Sequence, residues 1–369
     1  MVETGGWGGI GHYCHCISEA LQRDGADVRL VTHTRNYQLR NFPKSYAVTE
    51  TFVGDGFLAD WKRLYAAWKG EAVVHFQSLL STRRDWIAFR ILKRLMPKTR
   101  WVVTVHNVLP HEVAKGEPWA YRQLYRAADG LIVHSEATRK RLFGLMGNGF
   151  DKPVAVIPHG HYGEITGDTL PERDKAIQVL KLDTGLRYLV CFGAIRPYKG
   201  IDLLMRAMTQ VPDWPEDVKV LVIGHLLTGV TEEELVQLRQ ELGLEGRVVF
   251  RFGYVPEEHI PHVFAVTDLS LLPYRDIDQS GILMAALAAG TPVLCTPVGA
   301  FPEVLTNDFG FLAESVSVGG LATALSHALG RRSEWSGMGS EAKRVAEEKY
   351  GWDAIAKQTL DFYERIGVK

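Results

Sequence analysis

Two cations at a glycine-flanked turn, Arg196 and Lys199 in Gly193-Ala194-Ile195-Arg196-Pro197-Tyr198-Lys199-Gly200, are the residues with the plainest chemical purpose in this chain. The turn follows an apolar run, Arg187 to Phe192, and precedes a helix beginning at Ile201, which places both side chains at the carboxyl end of a predicted buried strand. Like charges held this close repel one another unless an anion lies between them. A diphosphate is such an anion, gripped by Arg as a planar fork and by Lys as a point charge. The alternative is a pair of solvated surface charges.

A second stretch, Thr267 to Leu305, has the same design. Leu269 to Leu272 is a strand-sized apolar run closed by Pro273, and a polar loop from Tyr274 to Gln279 follows. Ser280-Gly281 opens a small-residue helix, Ile282 to Ala289, which Gly290 stops before the next strand, Thr291 to Thr296. Strand, polar loop and helix N-terminus together direct backbone N–H groups at whatever lies beyond the strand tips. Ser280 is equally an ordinary helix cap, so this stretch alone leaves binding and plain capping open.

Taken together, these segments resemble family 4 glycosyltransferases, the large retaining group of the GT-B fold. The likeness rests on Ala286-Leu287-Ala288-Ala289-Gly290-Thr291-Pro292-Val293 and on Val298-Gly299-Ala300-Phe301-Pro302-Glu303-Val304. The family's usual paired glutamates would fall at Ile277 and Ala285, and neither position is acidic. The local pattern, Tyr274-Arg275-Asp276-x-x-Gln279-Ser280-Gly281, resembles a sub-pattern in which the acid sits one place early. The resemblance therefore implies that Asp276 contacts the donor sugar, with Gln279, Ser280, Gly281 and Glu303 beside it. It implies that Arg196 and Lys199 bind the donor diphosphate next to Gly193. It also implies that Gly253-Tyr254-Val255-Pro256 holds the nucleotide base through its backbone, chiefly at Tyr254 and Val255. No metal and no cofactor are expected, because these cations can neutralise the leaving diphosphate and no acidic pair is placed to hold a cation. Retention by front-face attack would need no protein nucleophile, and no Ser/His/Asp device is evident.

The elements around these motifs repeat as βα units. Strands are predicted at Asp27–Thr32, Glu71–Phe76, Trp101–His106, Gly130–His134 and Pro153–Pro158, then at Arg187–Phe192, Asp217–Gly224 and Arg247–Phe252. Several end in polar pairs: His106-Asn107 (with Pro110-His111-Glu112 beyond), His134-Ser135 and His159-Gly160. Recurrent strand-end histidines suit a ligand edge better than a core, and His106 alone matches a family position near the donor sugar. A glycine loop, Gly5-Gly6-Trp7-Gly8-Gly9-Ile10-Gly11, precedes a helix at His12–Arg23, and Gly8 and Gly9 are expected to approach the donor. Barely any strand precedes that loop, since Met1 to Thr4 spans about 13 Å at most. The reading predicts an open slot beside the Asp27–Thr32 strand, a weaker first domain, and better stability and activity for a chain with more apolar residues upstream.

The fold class implied is α/β, GT-B, with two Rossmann-like doubly wound parallel-sheet domains facing a central cleft. The expected divisions are residues 1–165 for the acceptor, a polar linker at 166–185, residues 186–350 for the nucleotide-sugar donor, and 351–369 as a helix crossing back. The chain has 369 residues, 46% hydrophobic and 23% charged, with a formal net charge of −1; that fits two soluble globular domains and not a nucleic-acid-binding protein. No leader is evident and four scattered cysteines suggest a reduced, cytoplasmic setting. Cys14 and Cys16 sit two apart, on different faces of the predicted helix, so together with His12 and His15 they are not read as a metal site. The basic helix Arg83–Met96, continued by Lys98 and Arg100, has two readings. Ala88, Phe89, Ile91, Leu92, Leu95 and Met96 would share one side and Arg83, Arg90, Lys93, Arg94 and Trp86 the other. That polar side is either simply solvated or docked to an anionic membrane surface, which would suit a peripheral enzyme with a lipid-linked acceptor. The function expected is transfer of a sugar from a nucleoside diphosphate to an acceptor hydroxyl, in polysaccharide, glycolipid or glycoconjugate synthesis. A GT-B epimerase or phosphorylase and a non-catalytic nucleotide-sugar-binding protein are the rival readings.

Overall fold

The computed structural model describes residues 1–4, 8–34, 42–52, 57–77, 82–110, 117–167 and 169–368, with side chains from 60 and from 86 in the helices that begin at Phe57 and Thr82. The chain forms two compact units, Met1–Gly160 with Tyr350–Lys369, and His161–Lys349.

In the first unit the strands are β1 (Arg29–His33), β2 (Ala47–Phe52), β3 (Val73–Phe76), β4 (Arg100–Thr104), β5 (Gly130–Val133) and β6 (Val154–Val156). β1 pairs with β2, and β3 to β6 run side by side, all parallel. One residue joins the two sheets: Val2 bridges Val31 on one side and Phe76 on the other. Its N–H donates to His75 O at 2.8 Å, its carbonyl accepts from Gln77 N at 2.8 Å, and Glu3 N donates to Val31 O at 3.0 Å. The lateral order is therefore β2, β1, Val2, β3, β4, β5, β6, a doubly wound sheet whose order reverses beside Val2. Where an open slot was expected beside the first strand, Val2 pairs with both neighbours, and a cavity of 420 Å³ lies next to it, lined by Val2, Asp27, Arg29, Glu71, Val73 and Tyr363 among others. β2 was not foreseen, because its alternation of exposed and buried side chains is weak and its neighbours are polar. Buried Trp101, Phe76, Phe89 and Trp68 pack ring against ring beneath the sheet.

The second unit holds β7 (Arg187–Phe192), β8 (Val218–Gly224), β9 (Val248–Phe252), β10 (Thr267–Leu272), β11 (Val293–Cys295) and β12 (Gly310–Leu312). Their order is β12-β11-β10-β7-β8-β9, all parallel, with the reversal between β7 and β10. These strands are nearly continuous apolar runs because helices cover both faces. The polar stretch 166–185, read as a linker, carries the helix Arg173–Leu180 and lies within this unit. Arg173 anchors it: one guanidinium nitrogen reaches Asp268 at 2.8 Å and Leu186 O at 3.0 Å.

The basic helix spans Thr82–Leu95 and stops there; Lys98 lies beyond it and Arg100 begins β4. Its faces differ from the expected ones. Ala88, Phe89, Leu92 and Met96 are buried, whereas Ile91 and Leu95 are exposed together with Ile87, Arg90 and Arg94. Lys93 turns inward to Asp129 at 2.6 Å, whose other oxygen accepts from Trp101 N at 2.9 Å. A single sheet covers only a narrow stripe of a helix, so residues one step off the stripe face solvent. The side chain of Arg83 lies outside the described residues.

The C-terminal helix Trp352–Arg365 packs in the first unit, where the Trp352 ring closes over the backbone of Gly160. A Cβ at Gly160 would lie 2.3 Å from that ring, so Gly160→Ala should destabilise the first unit by about 1–3 kcal/mol. Gly246→Ala, where nothing lies within 4 Å, serves as the neutral control in thermal unfolding. Equal melting of both variants would contradict this packing.

Candidate functional site

The reversal between β7 and β10 brings the two sequence motifs together in the second unit. Gly193 to Lys199 leaves the end of β7 and Pro273 to Ser280 leaves the end of β10. They are tied by direct bonds. Arg275 N donates to Tyr198 O at 2.7 Å, and the Arg275 guanidinium forks onto both oxygens of Asp202 at 2.7 Å each. The same guanidinium reaches Pro197 O at 2.9 Å. Gly200, at φ 68, lets the turn press against the other loop, since a Cβ there would sit 2.0 Å from Pro273 O. Gly299, at φ 53, does likewise beneath Ile277 O, and Ala300 N donates to Asp278 O at 3.1 Å. The loop is thus braced from below and from the side.

Lys199 is the half-buried cation of this arrangement. Its Nζ donates to Tyr274 Oη at 2.5 Å and lies 4.0 Å from the centre of that ring. Burial holds the ammonium down at about 7, with Cys191 acting the other way and the nearby Arg196 charge adding a smaller push in the same direction as burial. Arg196 and Lys199 repel one another here, a situation that a bound anion would relieve. Tyr274 Oη is pushed up by burial, so it stays a neutral partner. Ser280 caps the helix Gly281–Ala288, accepting from Leu283 N at 3.4 Å. Gln279 next to it has both amide atoms buried without a partner among the described residues. Asp276 is exposed and Asp278 buried. Gly193 stands at φ 103 at the strand end, with the Ile282 side chain just beyond it. Tyr254 is exposed on the turn after β9, near the His225 ring, with Val255 half-buried next to it. Glu303 is exposed on the short helix Phe301–Val304. Asp202, Tyr274 and Arg275 were not singled out from the sequence as structural partners; Arg275 stood in the motif without an assigned role.

In the first unit the strand ends carry a buried histidine cluster. His106, His134 and His159 surround the Tyr13 ring at 4.7, 5.3 and 5.0 Å between centroids. Two of them are core histidines: His134 Nδ1 meets Ile157 O at 2.9 Å and His159 Nδ1 meets Gly160 O at 2.7 Å. Burial lowers His134 to about 4 and His159 to about 3, and lowers His106 well below the ordinary range, so all three are neutral. His106 is partly exposed and lines a 160 Å³ cavity with Ile10, Gln77, Asn107, Tyr121 and Tyr125. Gly8, at φ 85, is the N-cap of the helix Gly9–Arg23; Gly5, Gly6, Trp7, His111 and Glu112 lie outside the described residues. Among the described residues no group of three His, Cys, Asp or Glu side chains could hold a metal ion, and no helix is long and apolar enough to cross a membrane.

Residues 172–345 match the sequence model described as glycosyl transferases group 1, and residues 7–161 match that described as Glycosyltransferase Family 4. The chain is a GT-B glycosyltransferase. Among curated relatives, a D-inositol 3-phosphate glycosyltransferase of Rhodococcus erythropolis is 26% identical, over 80% of this chain and 68% of the relative. A GDP-mannose-dependent alpha-(1-6)-phosphatidylinositol monomannoside mannosyltransferase of Mycolicibacterium smegmatis is 28% identical, over 63% of this chain and 61% of the relative. Among solved structures, Anabaena HepE in complex with UDP-glucose superposes with a TM-score of 0.79 at 18% identity, covering 99% of this chain and 98% of the other. A sucrose-phosphate synthase from Thermosynechococcus elongatus gives 0.74 at 19% identity, over 99% and 95%.

The Lys199 environment sets a proton-linked affinity. An anion against Lys199 raises its pKa above about 7, so binding takes up a proton at pH 8. Affinity should be level below pH 7 and weaken as pH rises from there to the pKa of the complex. Calorimetry of a nucleoside diphosphate at pH 8 in two buffers of different ionisation enthalpy should show that uptake. Lys199→Ala should abolish it, and Lys199→Ala and Arg196→Ala should each weaken binding by about 1.5–3 kcal/mol. Unchanged affinity in both variants would remove the diphosphate assignment.

Proposed function

We propose that this glycosyltransferase moves a hexosyl group from a nucleoside-diphosphate sugar to an acceptor hydroxyl with retention, and without a metal. The observation that carries the reading is the pair of cations, Arg196 and half-buried Lys199, at the reversal of strand order in the second unit. Nucleotide-dependent relatives and the UDP-glucose complex of a structural neighbour support a nucleotide-sugar donor. In this reading the diphosphate takes Arg196 and Lys199 near Gly193, the base lies against Tyr254 and Val255, and the sugar meets Asp276 and Gln279 beside Ser280 and Gly281. Glu303 completes the donor's surroundings in this unit. As the acceptor attacks the anomeric carbon, the bond to the diphosphate oxygen breaks, and that phosphate takes the acceptor proton. Arg196 and Lys199 stabilise the charge that develops on it.

A panel of nucleotide sugars, each with and without added carbohydrate or polyol acceptors, tests this. Acceptor-dependent release of nucleoside diphosphate, unaffected by a chelator, is expected with one donor. An altered sugar on an intact nucleotide would establish the epimerase reading, phosphate-dependent release of sugar phosphate the phosphorylase reading, and binding without turnover the non-catalytic one. Asp276→Asn should lose at least tenfold in transfer rate. If Asp278→Asn loses transfer while Asp276→Asn keeps it, the sugar contact belongs to Asp278.

The exposed stripe of the Thr82–Leu95 helix supports an anionic membrane surface as the place of work for a lipid-linked acceptor. Ile87, Ile91 and Leu95 are 44, 43 and 50% exposed, interleaved with Arg90 and Arg94, and Trp119 nearby is 53% exposed. Apolar anchors among basic side chains are what an interfacial helix needs. Sedimentation with phosphatidylglycerol vesicles should capture the enzyme at low salt, and phosphatidylcholine vesicles should not. The double variant Ile91→Glu, Leu95→Glu should reduce capture more than tenfold. Equal capture of the variant would leave the stripe as a merely solvated face.

A further inference from the structure

The hydrogen bonds around His106 form one continuous chain whose polarity can be worked out from its ends. Tyr363 Oη lies 2.6 Å from His75 Nδ1, and His75 Nε2 lies 2.7 Å from Thr104 Oγ1 and 3.2 Å from the Gln77 amide. The far side of that amide is 3.0 Å from His106 Nε2, His106 Nδ1 is 3.1 Å from His134 Nε2, and His134 Nδ1 is 2.9 Å from Ile157 O. A backbone carbonyl can only accept, so His134 Nδ1 carries the hydrogen. A neutral His134 then has a bare Nε2, and His106 must donate to it from Nδ1. His106 is neutral too, so its Nε2 is bare and needs a donor. Gln77 is the neighbour there and supplies one only by turning its NH₂ toward His106 and its oxygen toward His75. The opposite orientation, with Oε1 on His106, would force two bare ring nitrogens together or demand a second buried positive charge; the two amide orientations are isosteric. The rest follows in sequence: His75 carries its hydrogen on Nε2 and accepts from the Tyr363 hydroxyl on Nδ1.

We propose that Gln77 is a positioning residue which, through this chain, holds His106 as the Nδ1–H tautomer and presents Nε2 as an acceptor at the 160 Å³ cavity. His106 can then receive a hydrogen bond from a substrate hydroxyl that displaces or shares the Gln77 amide, and it cannot donate to a phosphate or carboxylate. The cavity therefore selects a neutral polyol hydroxyl. This rests on the reading of His106 as a substrate contact only for its effect on turnover; the tautomer stands apart from it. The titratable groups facing His106 are His75, His134 and His159, with the Tyr13 ring against its face.

Long-range proton–nitrogen spectra of the enzyme labelled with ¹⁵N-histidine test it at neutral pH, with signals assigned by single His→Gln variants. Hydrogens on Nδ1 of His106 and His134 and on Nε2 of His75 are expected. A hydrogen on Nε2 of His106 would overturn the proposal. Gln77→Glu is isosteric but has only acceptor oxygens, so it should draw a hydrogen onto His106 Nε2. It should lower kcat at least tenfold and add an ionisation to the kcat–pH profile, while nucleoside diphosphate affinity stays unchanged. If Gln77→Glu leaves the His106 tautomer or the pH profile as in the wild type, Gln77 does not position His106. If the tautomer shifts as expected in an enzyme that turns over no donor, the chain is upheld and the transferase reading alone fails.

Discussion

A half-buried ammonium beside a guanidinium is the constraint around which the loops of the second unit are organised. Lys199 loses most of its hydration, keeps one hydroxyl partner in Tyr274, and has Arg196 as a like-charged neighbour. Left alone, such a group gives up its proton or swings into solvent. The chain prevents the second outcome by clamping both loops: Arg275 spans from its own loop to Asp202 and Pro197 on the other, and Gly200 allows their backbones to touch. The exposed Arg275–Asp202 fork adds little stability of its own, since solvent screens it. Its effect is geometric, setting where Lys199 points. Rigidity there matters because a cation aimed at a leaving group acts only if it need not reorganise during the reaction.

The first unit solves a different problem with neutral groups. A single bridging residue, Val2, joins its two half-sheets, and the point at which it does so is the point at which strand order reverses. Gln77 directly follows β3 at that reversal, its backbone N–H bonded to Val2 and its side chain linking His75 to His106. Polar side chains pass hydrogen bonds from the C-terminal helix to the strand ends without carrying charge into the core. Such a fully connected network holds direction as well as position.

How much of this could be read from residues alone follows from the range of each signal. The strands β7 to β10 were legible because each is a largely apolar run ended by Pro or Gly, whereas the three-residue β12 was not, and the cation turn was legible because Arg196 and Lys199 are close in sequence. The pairing of Arg275 with Asp202 was not, since it joins residues from different loops and depends on strand order. The strand-end histidines suggested a ligand edge, but most are satisfied by carbonyls and by one another, which no local pattern conveys. Ile91 and Leu95 were placed in the core by helical spacing; only the width of the covering sheet decides that they face outward. Arg173 bonded to Asp268 shows the same limit in the supposed linker.

The central claim is that a nucleoside diphosphate lies at the switch point between β7 and β10. Hydrogen exchange with and without saturating UDP, GDP or ADP measures this directly, because it reports where backbone amides become protected. Slower exchange concentrated in residues 193–201 and 274–283, with the strands β11 and β12 unaffected, is the predicted result. Tight binding of a nucleotide that leaves both of those segments unchanged would contradict the account.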